Sequence, residues 1–405
     1  MKRFISFTLV VILLLSMTAC KQEEPAIDPV LAERRDIAEQ YMRSMLTVLW
    51  SPEEDILYTL DNKLSPEESG SKQMLLKADR TYQGMPYSFA GSTLTAFLEY
   101  ASKQDDAGVY TISDLHWRAL SRNSNIARIG LDGSSALMLS WAQIGYSFTF
   151  TSSNTMTEEN GYLRVGTYTS PNDTSEDSNQ ICYENGTDTM YASYAQLQKA
   201  DGVFTSIDTG AHTMMVVETQ VVKNDDDTIN ENESYVITLE QSKYPFLEEA
   251  HSFNEELGSE VYNISSIDKK HTFKELYDNG YLPITCKELI DPAPLSEVSL
   301  NDSNASSNAE NFLNGFIDTN YHIDTVTVSI YDAENNLLQQ AALRATRYEK
   351  RILSLNNFSK ENANTIRGSF DYSALPSGNY RATLVCRLVN GQEIMTRDLS
   401  FEKEN

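Results

Sequence analysis

The spacing of apolar residues changes along the chain, and the elements it predicts change with it. Residues 29–50 place Leu31, Ile37, Ala38, Tyr41, Met45, Leu46 and Leu49 at helical intervals, so the first predicted element is a helix. Residues 94–102 and 114–121 predict further short helices. Residues 133–144 predict a longer one, with Asp132 placed to cap its N-terminus. From Phe148 onward the pattern becomes one of strands and polar loops. Residues 203–204, 213–222 and 234–240 read as strands, the last two joined by an acidic hairpin loop, 223–233, that holds Asp225, Asp226 and Asp227. Residues 169–179, rich in Ser, Asn and Asp, read as a surface excursion. Helices first and antiparallel strands after them predict an α+β arrangement.

The segment Asp291-Pro292-Ala293-Pro294 marks a boundary, and a Ser/Asn-rich stretch, 301–308, follows it. Residues 325–331 alternate apolar and polar side chains; Asp332-Ala333-Glu334-Asn335-Asn336 is a turn, and Leu337 starts the next strand. Residues 365–372 and 380–388 read as later strands, with Pro376-Ser377-Gly378-Asn379 as the turn between them. Such a run of short strands and turns predicts an all-β, immunoglobulin-like sandwich over 294–405. A chain of 405 residues accommodates two such domains, 29–290 and 294–405.

The first 19 residues have a different logic. Lys2 and Arg3 open them, and residues 4–15 form an apolar run too short to span a bilayer. Leu15-Ser16-Met17-Thr18-Ala19-Cys20 then sets small residues ahead of a cysteine. This resembles the bacterial lipobox, with Met17 where leucine is usual. The resemblance implies cleavage before Cys20 and a lipid on Cys20, which holds the protein to the extracytoplasmic face of a membrane. An ordinary secretory signal with an incidental cysteine is the alternative. Residues 20–28, polar and containing Pro25, read as a tether.

Removing Lys2 and Arg3 takes the formal net charge from −26 to −28. That balance argues against nucleic acid as a partner and against adsorption to anionic lipid. With Cys20 acylated, Cys182, Cys286 and Cys386 are an odd number, which reads as buried free thiols rather than a disulfide framework. No Cys-x-x-Cys or His-Glu-x-x-His spacing occurs and the five histidines are scattered, so neither a metal nor another cofactor is expected.

Four motifs carry the candidate chemistry. Gly130-Leu131-Asp132-Gly133-Ser134-Ser135-Ala136 leads into the helix that contains Trp141. Gly210-Ala211-His212-Thr213-Met214-Met215-Val216 opens a strand, and a later strand ends at Glu240-Gln241. Upstream lies Tyr82-Gln83-Gly84-Met85-Pro86-Tyr87. In this order they resemble the NlpC-type cell-wall endopeptidases, papain-like cysteine peptidases that cut the peptide stems of peptidoglycan. The resemblance covers about residues 29–289 and implies an α+β papain-like domain ahead of the sandwich. In that family a thiol at a helix N-terminus is favoured as thiolate by the helix dipole, and a histidine held by a third polar group activates it. Carried over, His212 is the base, Gln241 or Glu240 orients it, and Asp132 and Ser134, which flank the nucleophile, bind substrate together with Tyr82, which lines the cleft.

The sequence departs from the family at the nucleophile, because the family's cysteine falls on Gly133. Ser134 is the nearest hydroxyl, but one helical residue turns a side chain by about 100°. The expectation is therefore an inactive relative that binds peptidoglycan peptides or a surface protein, in which Gly133→Cys would restore thiol reactivity. The alternatives are an active hydrolase that pairs Ser134, Ser135 or Cys182 with His212, and a structural surface protein with no cleft. Gly133 also fits a plain helix-start glycine, and His116, His251, His271 and His322 read as structural.

Overall fold

The computed structural model describes residues 28–59, 73–88, 90–113, 129–145, 161–170, 177–207, 210–243, 245, 249–303, 309–345, 351–359 and 366–404. Cys20, the apolar leader, His116 and the helix expected at 114–121 lie outside them.

The architecture mixes helices with several β-sheets. Five α-helices are described: α1 (Pro29–Thr47), α2 (Leu94–Leu98), α3 (Gly133–Ala142), α4 (Ser178–Tyr194) and α5 (Phe273–Asp278). The central sheet has six strands: β1 (Tyr162–Arg164), β2 (Gly202–Ile207), β3 (Gly210–Gln220), β4 (Tyr235–Gln241), β5 (Ser265–Thr272) and β6 (Leu282–Cys286). They run in the order β5-β4-β3-β2-β6-β1, every neighbour antiparallel. Helices cover both faces. Phe204, Met215 and Leu239 join the core that holds Met42 of α1 and Leu137, Met138 and Trp141 of α3. Val203, Met214, Val216 and Val236 join another, with Ile181, Met190 and Tyr194 of α4 and Phe273 and Leu276 of α5.

Several predicted elements shift. The first helix ends at Thr47 and not at Trp50, because Leu49–Pro52 is a strand that pairs with Tyr82–Gln83 and Tyr110–Ile112 in a second six-stranded sheet. Trp50 and Pro52 point inward there while Leu49 and Ser51 are half-buried, so the period is two. The helix expected over 94–102 stops at Leu98, and Ala101–Gln104 is a strand. Most of the polar excursion expected at 169–179 lies outside the described residues, and only its last two residues, Ser178 and Asn179, begin α4, which is capped by Asp177 and kinked at Gly186 (φ 75°). The helix over 133–144 and its Asp132 cap are present, as are the central strands, each shifted by a few residues.

The C-terminal part is built of two antiparallel sheets, one of three and one of five strands, packed around a shared core of residues such as Ile317, Val326, Val328, Leu353 and Leu384. The strand expected at 365–372 runs only over Ile366–Ser369, before a short helical turn at Tyr372–Ala374. Glu393–Lys403, which drew no strand reading in the sequence, is an 11-residue edge strand. This part is docked on the helical part through buried and half-buried polar groups. Thr93 donates to Asp324 (2.8 Å), and Arg387 bridges Asp324 (2.8 Å) and Glu99 (2.6 Å). Gln143 donates to the Val389 carbonyl (3.0 Å) and Arg351 to that of Gly145 (2.9 Å).

Candidate functional site

The mouth of α3 is where the sequence places the reacting group. Asp132 is in extended conformation and its carboxylate accepts from the Ser135 N–H (2.8 Å) and the Ser135 hydroxyl (2.5 Å). That bonding satisfies a free amide of the helix start. Gly130 adopts φ 131° with Pro86 against it, and Leu131 bridges to Tyr87, so the Gly-x-Pro-Tyr segment holds the approach to the helix. At Gly133 a Cβ would lie 2.6 Å from the Thr213 carbonyl oxygen and 3.2 Å from that of Gln241. Strand backbone from β3 and β4 crosses there at a distance only glycine allows. Ser134 shares a hydrogen bond with the Thr213 hydroxyl (3.2 Å).

His212 lies on the opposite face of the sheet. Thr213 turns toward α3; His212, one residue earlier on β3, turns toward α4, since neighbouring strand residues point to opposite sides. Its cross-strand partner is Thr205, whose hydroxyl bonds Ser178 of α4 (3.1 Å) and the Asn279 carbonyl (2.9 Å). His212 Nδ1 meets the Tyr281 hydroxyl at 2.7 Å, and Nε2 is buried without a hydrogen-bond partner. Burial pushes the His212 pKa below its usual value; the Glu240 charge pulls upward, and Lys269 and His271 push down with the burial.

The expected orienters divide in the same way. Gln241 is on the α3 face and its amide nitrogen donates to the carbonyls of Met85 (2.8 Å) and Leu131 (3.4 Å), so it supports the loops ahead of α3 and cannot reach His212. Glu240 shares the face of His212 but bonds His271 (2.5 Å), Thr238 (2.9 Å) and Lys269 (3.3 Å). Burial raises its pKa, yet the His271 hydrogen bond and the charges of His271, Lys269 and His212 outweigh this and hold the carboxyl at about 2. Tyr82 is fully buried; its hydroxyl accepts from the Lys77 N–H (2.8 Å) and its ring packs on Trp50 and Tyr262, so it belongs to the core and lines no cleft.

No expected nucleophile meets the imidazole. Ser134 is bonded to Thr213 and Ser135 to Asp132. Cys182 sits in α4 with Tyr194 and the Tyr281 carbonyl as neighbours, and burial pushes its thiol up to about 12. Cys182, Cys286 and Cys386 are all buried and unpaired. Among the described residues, no group of three or more His, Cys, Asp or Glu side chains is placed to hold a metal ion. Sequence reasoning read His271 as structural and passed over Lys269 and Tyr281. The alternation along β5 puts His271 and Lys269 on one face, but only the β4 pairing brings them to Glu240.

No family model and no curated protein matches the chain. Among solved structures it is similar to the tetra-tandem repeat in the extending region of a large adhesion protein, at 13% identity over 50% of this chain and a TM-score of 0.17. The chain spans 40% of that protein's length. No helix among the described residues is long and apolar enough to cross a membrane.

Proposed function

We propose that this chain is a lipid-anchored protein of the extracytoplasmic face whose NlpC-like, papain-like helix-and-sheet scaffold binds wall peptides or a surface protein without cutting them. The immunoglobulin-like C-terminal part extends that binding body. One observation carries the non-catalytic reading: Gly133 faces strand backbone on one side of the sheet, and His212 faces Tyr281 on the other. A nucleophile and its base must lie within hydrogen-bond reach of one another, and a full sheet separates these two positions.

The test is to incubate the mature protein with purified peptidoglycan and identify soluble products by mass spectrometry. We expect none above the buffer control, and none gained or lost in Ser134→Ala or His212→Ala. Release of stem-peptide fragments that stops in His212→Ala would overturn the reading. A second reading, a surface scaffold with no cleft, is favoured by the backbone that fills the space beside Gly133. Sedimentation with insoluble peptidoglycan separates the two: retention supports wall binding, and free protein supports the scaffold.

A further inference from the structure

The polar cluster on the α4 side of the central sheet is not used by that function. It joins four elements. His212 at the start of β3 is tied across β2 to Tyr281, the residue that leads into β6. Glu240 on β4 is tied to His271 and Lys269 on β5. Glu240 and His271 are both largely buried, while Lys269 is half exposed. His212 pairs across the sheet with Thr205, bonds Tyr281 and lies within the field of Glu240, Lys269 and His271; one contact further out, Thr238 bonds Glu240, Ser178 of α4 bonds Thr205, and Cys182 of α4 meets the Tyr281 carbonyl. Ser178 and Cys182 are neutral, since burial keeps the Cys182 thiol protonated, while Asp177, the α4 cap, brings a carboxyl near Cys182.

We propose that His212 and Glu240 form an acid-sensitive latch: protonation of His212 breaks the present arrangement and loosens the join between the start of β3, β6 and α4. The geometry gives the reason. A neutral imidazole satisfies Nδ1 with Tyr281 and leaves Nε2 buried and alone. An imidazolium donates from both nitrogens, and a buried donor without an acceptor is costly. Its proton either draws Glu240 away from His271 and Lys269 or turns the ring toward water, and each outcome dismantles one of the two ties.

The sign follows from linkage. A histidine whose folded pKa is depressed binds protons more readily when unfolded, so stability falls as pH drops below the ordinary value of 6.5. Glu240, held at about 2 against an ordinary 4.5, adds a second loss as pH falls below 4.5. Both act in the same direction.

The experiment follows the histidine C2-proton signals of the mature protein by NMR from about pH 8 to pH 5. In parallel, amide exchange over residues 210–220 and 281–286, expressed relative to the intrinsic rate at each pH, is compared at the two ends of that range in wild type and in His212→Gln. We expect His212 to titrate below 6.5, and exchange in both segments to rise on acidification in wild type by a factor absent from His212→Gln. A His212 midpoint at or above 6.5 overturns the latch, as does an equal rise in both proteins. If His212→Gln fails to fold, the wild-type midpoint and exchange decide the matter alone, and flat exchange in wild type is again fatal to it.

Discussion

Gly133→Cys is expected to lower stability and to gain no hydrolytic activity. The new Cβ would sit 2.6 Å from the Thr213 carbonyl oxygen, and neither β3 nor α3 can move without disturbing the packed core on both sides of the sheet. Overpacking of this kind costs about 1–3 kcal/mol, and more when the obstacle is backbone. Gly133→Ala should lose a similar amount, because the obstruction is steric and not chemical. Urea unfolding midpoints of the two variants measure the loss, and an aromatic disulfide reagent measures thiol access in the folded state. The sequence reading leads to the opposite outcome, restored thiol reactivity. A stable Gly133→Cys protein that reacts at once with the reagent would return the site to the papain-like scheme.

Asp324→Ala is expected to cost about 3–5 kcal/mol, since it strips a buried carboxylate from the cation it neutralises. Asp324 is 5% exposed, accepts from Thr93 of the helical part and pairs with Arg387, which also holds Glu99. Arg344, 8% exposed and donating to the Ala90 carbonyl, loses the same negative charge from its surroundings. Because these groups come from both parts of the chain, the loss should appear in how they unfold together. Wild type should melt in one calorimetric transition; Asp324→Ala should melt lower, with the transition split or broadened. Asp324→Asn keeps an acceptor for Thr93 and should fall between them. A variant that melts as wild type does would show that the contact contributes little to joining the two parts.

What the sequence made legible was what local chemistry decides. Asp132 before a run of helix-forming residues announces α3, because an N-cap acts within one turn. The polar turn at 223–233 between two apolar runs announces the hairpin of β3 and β4. The apolar residues at the end of α1 were ambiguous, since Leu49 fits a helical stripe and Trp50 an alternating strand equally well over so few positions. Helix α4 was hidden by its composition, with Asn179, Asn185, Gly186 and Asp188 inside it, and it is held by packing of Ile181, Met190 and Tyr194 that no local rule reveals.

The site was misread for a related reason. Whether His212 or Thr213 faces α3 is a matter of strand parity, and a single step inverts it. Parity is readable where one face of a strand is wet and the other dry. Along β3, Thr213, Met214, Met215 and Val216 are all buried, because helices cover both faces, so the pattern carries no record of which side is which. The glycines and the histidine that brought out the resemblance are real features of the fold, but close packing explains Gly130 and Gly133, and a tyrosine explains the placing of His212.

The three unpaired thiols have a practical consequence. Each is shut inside a packed core, and burial raises all three thiols, Cys182 and Cys386 to about 12. No covalent crosslink among them ties one part of the chain to another, so reductant leaves the described fold intact and oxidant finds no ready thiol among them. A cysteine introduced in the exposed Asp225–Asp227 turn would be far easier to derivatise than any of the three, which makes that tip a convenient place for a fluorophore or spin label.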